Sequence, residues 1–227
     1  MNFNEHLNLK GTHAIFSASK SSWLRYDQQK MESAIRSQWR SVMGTDLHDF
    51  ASSQIKLGHK IGNIRNLKQS IENYIYFKYY DENYCNISEY GKKMLFHLSE
   101  LETDIFETVK LFVNDAIGYR MESEQILYYS DIFYGTTDAI CFRNNFLRIH
   151  DMKTGDGKVD MEQLLIYAAL FCTEYEIKPR DIESELRIYQ HGEILYHKPE
   201  ADEILPIMNK IISDDRYLSK HYFKENL

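Results

Sequence analysis

The stretch Gly135–Gly155, G-T-T-D-A-I-C-F-R-N-N-F-L-R-I-H-D-M-K-T-G, decides the fold. Two β-rich runs meet at Asn144-Asn145. Asparagine tolerates the left-handed conformation that both central positions of a two-residue type I′ hairpin turn require. With the turn placed there, Phe142 pairs with Leu147, Ile140 with Ile149 and Asp138 with Asp151. The two acids of the hairpin then stand opposite each other, with Cβ atoms about 4.5–5.5 Å apart. Like charges so placed are destabilising unless something positive lies between them. Lys153, two residues beyond Asp151, lies on the same face. Two carboxylates and an ammonium on one sheet face predict a divalent-metal site with a catalytic lysine.

Downstream, a polar loop over Thr154–Asp160 leads to Met161–Tyr175, which is apolar on nearly all sides. That pattern predicts a helix buried against the sheet. Gln163 and Tyr167 are its main polar interruptions, and i,i+4 spacing puts them on one face. Buried polar groups need partners, so both are expected to reach toward the acids. Ile182–Gln190 reads as a further strand, His191-Gly192 as a turn, Ile194–Tyr196 as a short strand, and Pro199–Leu227 as a closing helix or helix pair. Upstream, Gln125–Tyr129 and Ile132–Arg143 complete three antiparallel strands with Phe146–Met152. Three strands, a helix and a strand describe an α/β core.

The first half reads as helical. Residues 1–16 look irregular. Ser19 is a plausible cap for a helix reaching about Arg40, with Lys20, Arg25, Lys30, Arg36 and Arg40 as its exposed cations. Gly44 predicts a break. Thr45 then caps a second helix carrying His48, Ala51 and Ile55 on one stripe, ended by Gly58 and Gly62. A histidine on such a stripe is more often a hydrogen-bonded core residue than a ligand. Further helices are expected over Asn63–Tyr80, Ser88–Leu98 and Leu101–Arg120, with Asp81–Asn86 as a loop. We divide the chain into a helical region, 1–122, and an α/β core, 123–227, within one domain.

Composition sets limits. The chain has 227 residues, 43% hydrophobic and 27% charged, which predicts a packed globular core. No apolar run is long enough to span a membrane and no signal-peptide pattern opens the chain, so a soluble, cytoplasmic protein is expected. Cys85, Cys141 and Cys172 are odd in number and scattered, which predicts reduced, mostly buried thiols. Net charge is -7, yet His13–Lys68 holds nine Lys/Arg against four Asp/Glu. One basic face can bind phosphates on an acidic protein; a solvated helical face is the competing reading.

Taken together, G-T-D-L-H at 44–48, G-T-T-D at 135–138, D-M-K at 151–153 and Q-L-L-I-Y at 163–167 resemble the PD-(D/E)XK nuclease superfamily. The closer resemblance is to the branch with the RecB nuclease domain and CRISPR-associated exonucleases, and I-F-S-A-S-K-S-S-W-L-R-Y near the N-terminus is similar to the segment that opens that branch. The resemblance implies a nuclease core, a mixed sheet flanked by helices, with an N-terminal helical extension. It implies that Asp138, Asp151, His48 and the Met152 backbone carbonyl hold the metal. Lys153 would position or activate the attacking water, and Gln163 and Tyr167 would contact DNA or organise the site. Glu124 resembles a recurrent acid of the family, with a solvated strand end as the alternative. Thr137 replaces the proline of the family name. No cysteine follows Cys172, so no iron-sulfur cluster is expected.

The expected activity is a Mg²⁺- or Mn²⁺-dependent deoxyribonuclease. It would be an exonuclease or an end- or flap-processing enzyme of recombination or phage DNA metabolism, acting in the host cytoplasm if phage-encoded. Carboxylates suit Mg²⁺, and one imidazole shifts the preference toward Mn²⁺. A cation beside Lys153 would push it toward its neutral, proton-accepting form. Arg36 and Arg40 are the candidate phosphate contacts. Single-stranded DNA or DNA with free ends is the expected partner, together with a recombination or replication protein. The alternative is a nuclease-like fold kept as a non-catalytic DNA- or protein-binding subunit.

Overall fold

The computed structural model describes residues 14–222, so the irregular reading of residues 1–16 and the end of the closing helix fall largely outside the described residues. Asn144 (φ 52°) and Asn145 (φ 57°) both adopt the left-handed conformation, and the hairpin register is the expected one. Strands β3 (Glu122–Ser130), β4 (Phe133–Arg143), β5 (Phe146–Met152), β6 (Glu183–Gln190) and β7 (Glu193–His197) form one sheet in that order. All neighbours are antiparallel except β5 and β6, which the helix between them makes parallel. The fold is therefore mixed α/β, with helices on both faces of a five-stranded sheet.

The helical half differs from the expectation at its centre. One helix, α1 (Gln28–Leu57), replaces the two predicted around Gly44. A Cβ on Gly44 would lie 2.9 Å from Thr154 Oγ1, so the glycine lets the helix approach the loop after β5 instead of ending it. The start also moves: Ser21–Arg25 is a 3-10 turn, and the Asp27 carboxylate caps α1 by accepting from the Lys30 N–H at 2.8 Å. Gly58, left-handed at φ 68°, ends it as expected. Helices α2 (Ile64–Lys78) and α3 (Glu89–Ser99) start close to the expected positions, after Asn63 and Ser88, whose side chains accept capping bonds from the Asn66 and Gly91 N–H groups. Helix α4 (Thr103–Gly118) buries Val109, Phe112 and Val113.

Between α2 and α3, the segment read as a loop is a small hairpin, β1 (Tyr80–Asp81) with β2 (Asn86–Ile87). Two residues per strand are too few for periodicity to register. Gly91 packs beneath it: an added Cβ would sit 2.6 Å from both Ile87 Cγ1 and Tyr79 Cβ. Gly91→Ala is therefore expected to destabilise the protein by about 1–3 kcal/mol through overpacking. An unchanged urea midpoint would show that the small hairpin yields freely.

Two cores sandwich the sheet. On one face Met43, Leu47, Phe50, Ile71, Phe106 and Phe112 of α1, α2 and α4 pack with Met152 and Tyr189 of the strands. On the other, α5 (Glu162–Glu174) and α6 (Ala201–His221) pack against Leu147, Ile149, Leu186 and Ile188. The first core draws on both sides of the 122/123 division. The closing segment is one helix, α6, with Pro206 tolerated near its start. No helix among the described residues is long and apolar enough to cross a membrane. Cys141 and Cys172 are buried free thiols, whereas Cys85 is exposed.

Candidate metal centre

The ladder between β4 and β5 stops at Ala139↔His150, one step short of the acids. At the next step the Met152 N–H donates to Asp138 Oδ2 at 2.7 Å, so a side-chain bond replaces the backbone pair. The Met152 side chain is fully buried, and its peptide is thereby held against the acids. Across the other edge of β4, the β3 pairing skips Glu124 and Asp138. Glu124 has φ 55°, a strained conformation for a residue with a long side chain.

The irregularity inverts which layer each strand faces. Ser123 meets Ser52 of α1 at 3.0 Å, yet Leu127, four residues on, packs in the opposite core. Ala139 and Gly135 of β4 invert likewise: Ala139 joins the α1–α4 core, whereas a Cβ on Gly135 would meet the Tyr167 ring of α5 at 2.8 Å. Residues four apart on a regular strand share a face. The acids thus stand where the sheet changes sides, open to α1 from above and α5 from below. Ser52, one turn beyond His48, ties α1 to the residue preceding Glu124. That bond sets His48 over the acids.

The resulting cluster is compact. His48 Nδ1 lies 3.3 Å from Asp138 Oδ2, and one donor atom from each of His48, Glu124 and Asp138 falls within 4.8 Å of the others. His48 is thus half-buried against Asp138 in the candidate cluster, and is not enclosed among the apolar residues of its stripe. Asp151 is held differently. Lys153 Nζ lies 3.1 Å from its Oδ1 and 3.0 Å from its Oδ2, and donates at 2.8 Å to Gln163 Oε1. Gln163 Nε2 in turn donates to the Tyr167 hydroxyl at 3.1 Å. Gln163 and Tyr167 thus reach the site, where they hold the lysine. The Lys153 N–H also bonds the Tyr189 carbonyl at 2.8 Å, which fixes the strand end that carries it.

Charge crowding is visible in the proton affinities. Burial and then repulsion from Asp138 push Asp151 up to about 6, against the pull of Lys153. Burial and the same neighbour raise Glu124. Burial lowers His48, but the hydrogen bond and charge of Asp138, with Asp151 and Glu124 behind it, leave it raised overall. Asp151 Oδ2 is buried and accepts no well-formed hydrogen bond, its ammonium neighbour lying off-angle. The two carboxylates and the imidazole of the His48–Glu124–Asp138 group, with a buried Asp151 oxygen short of donors beside them, are a fit for a divalent cation.

Sequence reasoning undervalued Glu124, because nothing local announces its left-handed backbone. It also missed Asp49, which joins His48, Glu124 and Asp138 in lining the cleft while bound to Lys78 at 2.6 Å. Arg36 and Arg40 line an adjoining cleft, and Arg40 is engaged by Asp156 at 2.7 Å instead of standing free. The loop between β5 and α5 is tied down at Gly155 and Gly157, whose carbonyls accept from Gln190 Nε2 at 2.6 and 2.9 Å.

No curated protein and no solved structure matches the chain. Residues 13–190, the span that carries α1 through β6 and every residue of the cluster, match the family described as "Protein of unknown function (DUF2800)", and the chain belongs to that family.

Proposed function

We propose that the protein is a metal-dependent nuclease with a PD-(D/E)XK-like core, hydrolysing phosphodiester bonds in DNA. One observation carries the reading: His48, Glu124 and Asp138 bring donor atoms within 4.8 Å of one another at the strand ends, with the Asp151–Lys153 pair beside them and near enough to Asp138 for its charge to raise Asp151. A purely structural role gives no reason to crowd three carboxylates and strain Glu124 to do so. Asp138, Asp151, Glu124, His48 and the Met152 carbonyl would hold Mg²⁺ or Mn²⁺. Bound there, the ion would supply an activated water and stabilise charge on the phosphoryl oxygens. Lys153 orients that water and takes or returns a proton at Nζ, with Asp151 and Gln163 fixing its position. Tyr167 locks Gln163. Arg36 and Arg40 on α1 neutralise phosphates, and DNA single strands or ends are the substrate class.

Degradation of plasmid and of labelled single strands, with Mn²⁺, Mg²⁺ or chelator, tests this directly. Absence of divalent-dependent cleavage would favour the non-catalytic binding subunit. His48→Ala is expected to weaken Mn²⁺ binding about tenfold and to lower the ratio of Mn²⁺- to Mg²⁺-supported activity, because imidazole is the softer donor. Calorimetry showing an unchanged Mn²⁺ affinity would remove His48 from the ligand set.

A further inference from the structure

The two edges of the sheet are finished differently. Along β3 the pairing is broken at left-handed Glu124, the register shifts again between Tyr128 and Ser130, and the Tyr128 N–H donates to Glu174 Oε2 at 2.8 Å. Bulges and covered donors keep an edge strand from pairing with another chain. Strand β7 has none of these devices. Its residues, E-I-L-Y-H, pair with β6 without a shift, include no proline or lysine, and among the described residues no strand lies beyond them. Ile194, Leu195 and Tyr196 are 38%, 39% and 50% exposed. Leu195, opposite Ile188, lies on the α5–α6 side of the sheet, whereas Ile194 and Tyr196, opposite Tyr189 and Arg187, lie on the other. A bare edge thus carries apolar side chains on both faces.

The strand is complementary to itself. Side-chain alternation and the alternating outward N–H and C=O groups require a two-fold antiparallel pairing to be centred on a residue. Centred on Leu195, every residue of β7 finds a partner. Glu193 then stands opposite His197 of the partner subunit at both ends, Ile194 opposite Tyr196 of the partner subunit twice, and Leu195 opposite its own copy. Acid–histidine and aromatic–β-branched pairs are favourable across strands. His197 Nε2 already meets Glu203 Oε2 at 2.8 Å, which leaves its other ring nitrogen for the second acid. Centres at Ile194 or Tyr196 would set Glu193 or His197 against Leu195 and lose the charge match.

We propose that β7 pairs with β7 of a second copy of this chain about a two-fold axis at Leu195, joining two five-stranded sheets into one. The axis reverses strand direction, so the two metal clusters, at the C-terminal ends of the β5 strands, lie at opposite ends of the joined sheet. The contact is small, and a dissociation constant of about 10–100 μM is expected. Sedimentation velocity of the full-length protein over a concentration series spanning that range tests it. The wild type should pass from monomer to dimer, and Leu195→Lys, which sets like charges face to face at the axis, should stay monomeric. Cross-linking reads the register in a Cys85→Ser background, which removes the exposed thiol. Leu195→Cys brings sulfur opposite sulfur and should form disulfide dimers about tenfold faster than Ile194→Cys or Tyr196→Cys. These milder replacements decide the matter if the lysine variant fails to fold. A monomer throughout the series, a dimer that survives Leu195→Lys, or faster linking at Ile194 or Tyr196 would each overturn the proposal. So would open-ended polymers, which mark a contact between unlike surfaces. None of these outcomes bears on the nuclease reading.

Discussion

Asp138→Ala and Asp151→Asn are each expected to abolish divalent-dependent cleavage, with losses of about a thousandfold or more. A metal contributes several kcal/mol to phosphoryl-charge stabilisation, and each 1.4 kcal/mol is about a factor of ten in rate. Asp138 is central to the cluster: it accepts the Met152 N–H, touches His48 and raises both Asp151 and Glu124. Removing it takes away a ligand and the bond that holds β5 against β4 at this end. Asp151→Asn is the cleaner test, since the amide keeps the shape. Lys153→Ala should cost about a hundredfold in rate while leaving metal affinity near wild type, as expected for a proton-transfer or water-positioning group. Near-wild-type cleavage by either aspartate variant, measured with saturating Mn²⁺ and a chelated control, would end the metal-site reading.

The same Asp151→Asn change is expected to make the metal-free protein more stable above neutral pH. A carboxyl that titrates near 6 in the folded state, against an ordinary value of 3.8, holds its proton more tightly folded than unfolded. Its penalty is absent below about pH 4, grows between pH 4 and 6, and is complete above that range. Two units correspond to about 3 kcal/mol at most, reduced by whatever the lost Lys153 contact contributed. Thermal unfolding at pH 5 and pH 8 should therefore show a gain for the variant that widens at the higher pH. Metal should close most or all of this gap. Mn²⁺ at a hundred times its dissociation constant adds about 2.7 kcal/mol to a protein that binds it only when folded, and the variant should miss most of this. A variant less stable than wild type at pH 8 without metal would show that Lys153 satisfies Asp151 fully.

Much of this molecule is written in short-range patterns. Asn144-Asn145 determined the hairpin and its register, because two left-handed residues leave one turn geometry and side-chain alternation then admits one alignment. Gln163 and Tyr167 were legible as polar interruptions on an apolar helix that had to find partners. The helix starts near Asn63 and Ser88 and the stop at Gly58 were readable because such boundary signals are local, whereas the caps expected at Ser19 and Thr45 gave way to Asp27. The resemblance of the motifs singled out His48, but the helix stripe alone did not separate a ligand from a core residue.

Tertiary structure decided the rest. Gly44 reads locally as a break, and only the approach of Thr154, from the loop after β5, shows why a continuous helix keeps it. Nothing in the neighbours of Glu124 announces a left-handed backbone; that conformation is imposed where β3 and β4 change the layers they face. The pairing of Arg40 with Asp156, 116 residues away in sequence, likewise depends on where the loop after β5 is tied. By itself the sequence determined the hairpin, the face shared by Asp151 and Lys153, and the ends of most helices, since each depends on torsions and periodicities within a few residues. How near His48 and Glu124 come to Asp138, and whether the arginines stand free, were decided by packing between segments distant in sequence, where small backbone shifts move a side chain by ångströms.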